Sequence, residues 1–103
     1  MKLTSINLTH AFEITDVPAL DPIRVYLQVH GNGGGRLTIE CDVDAWVTYW
    51  GPWEGRNLLQ FIAEADVRYL RSSLGGDPED SDYLGRIVTA VKEAVRKLGE
   101  EGA

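Results

Sequence analysis

The chain has 103 residues, with 16 Asp and Glu against 10 Lys and Arg, for a net charge of −6. That length fits one domain, and an apolar content of 44% is too high for a disordered chain. A small chain with this acidic balance does not suit general nucleic-acid binding, which needs a basic patch, and no run of about 18 apolar residues exists to span a membrane.

Residues 2–15 open with alternation. Ile6, Leu8, His10, Phe12 and Ile14 share one parity, and Ser5, Asn7, Thr9, Ala11 and Glu13 share the other. Period two predicts a strand with one buried face. Pro18 and Pro22 end it. Residues 22–30 make the second strand, with Ile23, Val25, Leu27 and Val29 inward and Arg24, Tyr26, Gln28 and His30 outward. The glycine-rich segment 31–35 reads as a hairpin turn. It is not a phosphate cradle, because a strand and not a helix follows it.

Residues 36–50 keep one parity throughout. Leu37, Ile39, Cys41, Val43, Ala45, Val47 and Tyr49 take the inward phase; Glu40, Asp42, Asp44, Trp46, Thr48 and Trp50 take the outward one. No Gly or Pro interrupts them, so the favoured reading is one long, bent strand with a bulge near Asp44. The rival is a second hairpin turning within residues 42–45. Two amphipathic helices follow, over residues 57–72 (Leu58, Phe61, Ile62, Ala65, Tyr69) and 81–98 (Leu84, Ile87, Val88, Val91, Val95, Leu98). The expected fold is therefore α+β: a bent three-stranded antiparallel sheet, ordered β-β-β-α-α, with both helices on one face.

On that reading Glu40, Asp42 and Asp44 project from one strand face, successive carboxylates about 7 Å apart, with Trp46 and Trp50 beyond them and Trp53 in the next loop. An acidic stripe beside aromatic area predicts a partner-binding surface. Against it stands a plain solvated face whose acids pair with Arg24 and Arg36. Other features read as structural. The acidic segment 77–82 lacks the glycine and distal glutamate of a calcium loop. No metal-binding histidine spacing occurs, His10 lies on an apolar parity, and Cys41 reads as a small core residue. No catalytic, cofactor or metal residue is assigned. Basic residues gather on the helices, at Arg68, Arg71, Arg86, Lys92, Arg96 and Lys97.

The stretch Gly35-Arg36-Leu37-Thr38-Ile39-Glu40-Cys41, then Ala45-Trp46-Val47-Thr48-Tyr49-Trp50-Gly51, then Phe61-Ile62 and Tyr69-Leu70, resembles a family of small uncharacterised proteins of tailed phages and prophages. The family pattern places a second glycine three residues after the first; here Gly55 stands one residue later. The resemblance implies a phage accessory protein of the bacterial cytoplasm. It would act without catalysis, by binding a host protein or nucleoprotein complex, with an anti-CRISPR or other counter-defence inhibitor as its sharpest form. Two rivals remain. One is a structural homodimer that uses the tryptophan face against itself. The other is a ligand-binding protein or enzyme with a pocket near His30, Tyr26 and Glu40.

Overall fold

The computed structural model describes residues 1–6, 8–30, 34–51, 57–75 and 81–101. The order is β1 (His10–Ile14), β2 (Ile23–Val29), β3 (Gly35–Cys41), β4 (Asp44–Trp50), α1 (Leu58–Glu64), α2 (Val67–Ser73) and α3 (Ser81–Glu101). The strands form one antiparallel meander in the spatial order β1-β2-β3-β4. The class is α+β as expected, but the sheet has four strands and not three, and three helices are described and not two.

The extra strand arises within residues 36–50, where the rival hairpin turning within residues 42–45 is found in place of the favoured single bent strand. Cys41 pairs with Asp44, leaving Asp42 and Val43 as a two-residue hairpin loop. Asp42 takes a φ of 55°. Positive φ at the first loop position is what a tight hairpin demands, and Asp tolerates it better than most residues because its short side chain can bond locally. The correction reverses the facing of β4. In an antiparallel pair, opposite residues point to the same side, and Ile39 lies opposite Trp46, Leu37 opposite Thr48 and Gly35 opposite Trp50. Trp46, Thr48 and Trp50 therefore face the helices, while Ala45, Val47 and Tyr49 face away.

The first strand is shorter than residues 2–15. The chain pairs only from His10, opposite Leu27. At Thr9 the hydroxyl takes the place of a backbone acceptor: Thr9 Oγ1 accepts from the Val29 N–H at 2.9 Å. β2 ends at Val29, which the register places opposite Leu8, so residues 1–6 have no strand to pair with.

The helix expected over residues 57–72 is two helices. Ala65 and Asp66 adopt extended backbone, with ψ of 149° and 138°. The Asp66 carboxylate accepts from the Arg68 N–H at 2.7 Å, so it caps a new helix rather than continuing the old one. Asn57 caps α1 in the same way, accepting from Leu59 and Gln60. Lys92 of α3 donates its ammonium to the Ala65 carbonyl at the joint. α3 runs beyond the expected stop at residue 98, through Gly99 to Glu101.

All three helices cover one sheet face. Ile23, Val25 and Leu27 of β2, Leu37, Ile39 and Cys41 of β3, and Trp50 of β4 meet Leu58, Ile62, Leu70, Leu74, Leu84, Ile87, Val88, Val91 and Val95. The β2–β3 turn closes through the His30 N–H to the Gly34 carbonyl at 2.8 Å. Gly35 is required there. A Cβ would sit 2.3 Å from the Gln28 carbonyl oxygen and 2.8 Å from Leu58 Cδ2.

Candidate interaction surface

The tryptophans of β4 belong to the interior. Trp50 is 6% exposed, packs edge-on against Phe61 with ring centroids 5.5 Å apart, and donates its indole N–H to the Tyr69 hydroxyl at 3.1 Å. Phe61 meets Tyr69 edge-on in turn, at 5.9 Å. Trp46 is half-buried, with Tyr83 of α3 at 6.1 Å. Their aromatic area is spent against the helices. Trp53 lies outside the described residues, as do residues 77–80 of the acidic segment.

The three expected acids separate. Glu40 stands on the sheet face away from the helices, opposite Arg24 on β2 and Ala45 on β4. Asp42 lies in the hairpin loop, and Asp44, opposite Cys41, takes the helix side at the end of β4. All three remain at one end of the sheet, but they do not make a single-file stripe.

The face away from the helices carries three cross-strand rows. Glu13, Arg24, Glu40 and Ala45 form one; Ala11, Tyr26, Thr38 and Val47 the next; Gln28, Arg36 and Tyr49 the third. Val47 is 52% exposed and Tyr49 53%. His30 tilts against Tyr49 with ring centroids 5.8 Å apart. The sheet thus presents an apolar and aromatic edge on β4. The residues that carry it, Ala45, Val47 and Tyr49, escape the parity reading because that reading carries them inward. The available signal was the Asp42-Val43 dipeptide as a two-residue turn.

The other end is acidic. Glu13, Asp21, Pro22, Arg24, Glu40 and Asp42 line an open cleft of about 360 Å³, with four carboxylates around one guanidinium. Arg24 Nε meets Glu13 Oε2 at 3.1 Å, and this hydrogen bond holds the guanidinium pKa above its ordinary value. The Tyr26 phenol is also held up, first by its hydrogen bond to the Glu40 carboxylate. These contacts order the side chains on the face. Exposed pairs of this kind contribute little to folding. His30, Tyr26 and Glu40 do share the outward face, as the pocket reading required, but the cleft is lined by Glu40 alone of those three.

Cys41 is buried, and its thiol faces the Asp21 carbonyl at 3.5 Å. The Tyr83 phenol is pushed well above its usual range, chiefly by its hydrogen bond to Cys41 and then by burial. Among the described residues, no group of three or more His, Cys, Asp or Glu side chains is arranged to hold a metal ion. Nor is any helix of the described residues long and apolar enough to cross a membrane.

The described residues make a small acidic α+β domain with one sheet face that no described element covers, and sequence comparison places it further. A phage family matches residues 1–103, and the chain belongs to that family. No curated protein and no solved structure matches it.

Proposed function

We propose that this phage protein works by binding another protein through the outward face of its sheet. The proposed partner is a basic surface on a host defence or nucleic-acid-handling complex. The observation that carries the reading is the pairing of Val47 and Tyr49, each about half exposed, with an acidic cleft on the same face. No described element covers that face. Large apolar side chains beside ordered charge suit a recognition surface: the former supply contact area, and the latter supplies steering and partner choice. A counter-defence inhibitor of the anti-CRISPR kind is the specific form of this reading. An acidic cleft would there meet the lysines and arginines that otherwise hold nucleic acid.

The test is affinity capture from host lysate with three immobilised variants beside the parent. Val47→Asp with Tyr49→Ser removes the apolar edge. Asp21→Lys with Glu40→Lys reverses the cleft. Lys97→Ala, on the exposed side of α3, is the control. The first two should lose the captured protein while the control retains it, and raising salt should weaken capture by the parent. Equal capture by all three variants overturns the reading.

A further inference from the structure

The segment before β1 has a sequence built for burial, yet its large apolar side chains are not buried in its own chain. Met1, Leu3, Ile6 and Leu8 are 113%, 85%, 74% and 49% exposed. They make up half of the eight large apolar side chains exposed among the described residues, and they fall within eight consecutive positions. Ile6 and Leu8 share the parity of His10, Phe12 and Ile14, which point to the helix side of the sheet. Residues 1–6 lie past the end of β2, whose last residue, Val29, the register places opposite Leu8. Thr9 is held in line with β1 through its N–H to Leu27 and its hydroxyl to Val29, which fixes where the segment leaves the sheet.

A matching groove lies beside the point where the segment departs. It has a volume of about 670 Å³, is bordered by His10, and runs between α1 and the end of α3. Leu59 and Ala63 supply apolar surface from α1, as do Val95 and Leu98 from α3. Glu64 and Glu100 stand on its border, with Arg96 held by Glu93 and Glu100. Residues 1–8 contain Lys2 and no acid. Polarity and charge sign therefore correspond between segment and groove.

We propose that residues 1–8 are an exchanged arm, seated in the groove of a second copy of this chain while that copy's arm returns the contact. Eight extended residues reach about 26 Å, enough to cross to a neighbour. A reciprocal exchange closes a two-fold dimer, so no open-ended growth follows. Leu8 and Ile6 enter between α1 and α3 on the His10 side, and Lys2 meets the Glu64 and Glu100 carboxylates. The exchange uses the helix side of the molecule and leaves the outward sheet face free, so it stands or falls independently of the proposed function.

Light scattering coupled to size separation, over a hundredfold range of concentration, tests this on the full chain. The parent should show the dimer mass. Leu3→Ser, Ile6→Ser and Leu8→Ser together should weaken the dimer at least tenfold with an unchanged circular dichroism spectrum, since these residues make no contribution to the core. Ala63→Arg, which fills the groove from its wall, should do the same. A monomeric parent across the range overturns the proposal. So does a dimer that the triple arm variant leaves intact, which would place the interface elsewhere; this outcome holds even when Ala63→Arg proves unstable.

Discussion

The two sides of β4 carry nearly the same chemistry and have opposite fates. Trp46 and Trp50 on one side pack against the helices, while Val47 and Tyr49 on the other stand about half exposed. Composition does not distinguish them: each side offers a pair of large side chains in strict alternation. What assigns one side to the core is the number of residues in the preceding turn. A two-residue loop shifts the phase by one, and in a strand a shift by one exchanges every inward residue for an outward one. The lesson is that a sheet edge can present aromatic and β-branched residues to solvent without any change in the alternating pattern, provided that the turn carries the phase.

The largest test of this contrast removes a side chain from each side. Trp50→Ala should cost about 3–5 kcal/mol, as deletion of a buried aromatic does, and thermal melting should fall by more than ~12 °C. Tyr49→Ala should stay within about 0.5 kcal/mol of the parent, as exposed substitutions do. Comparable losses at the two positions would break the distinction. The next test acts on the turn. Asp42 holds a positive φ, so Asp42→Val should destabilise by about 1–2 kcal/mol and Asp42→Gly should be neutral or slightly stabilising, both read by chemical denaturation. A bent continuous strand would show the reverse order. Loss of the second helix cap sharpens the view of the covered side: Asp66→Ala should cost about 1 kcal/mol in the same measurement.

The smallest expected effect is a pH dependence. Arg96 holds the Glu93 carboxyl below its ordinary pKa through their hydrogen bond. A depressed folded-state value means the unfolded chain binds the proton more tightly. Stability from this pair is therefore present above the ordinary carboxylate range and is lost as pH falls through the folded-state value. Both partners are exposed, so the change should be slight. Melting curves taken across the acidic range should show less of it in Arg96→Met.

Much of the architecture was legible in the residues. Alternation located the β2 and β3 segments and placed Ile23, Val25, Leu27, Leu37, Ile39 and Cys41 in the core, where all six are buried. The helical stripe of α3 put Leu84, Ile87, Val88, Val91 and Val95 inward, where they are buried as well. What failed was punctuation without glycine or proline. Asp42-Val43 turns the chain through an aspartate in a left-handed conformation, and Ala65-Asp66 breaks a helix through an aspartate that caps the next one. In both places a short carboxylate does what a more conspicuous residue usually does. The site followed the same division. Glu40 was correctly placed on the outward face because it precedes the turn, and Val47 and Tyr49 were misplaced because they follow it.

The burial of Cys41 has a practical consequence. The chain has one thiol, which is 1% exposed and enclosed between the Asp21 carbonyl and the Tyr83 hydroxyl. It sits on the last residue of β3, where the sheet, the hairpin and α3 meet. A thiol reagent can reach it only when that junction opens, so the rate of labelling measures opening of this corner of the domain. The protein therefore carries its own clock for local unfolding, readable by mass spectrometry in the unmodified chain.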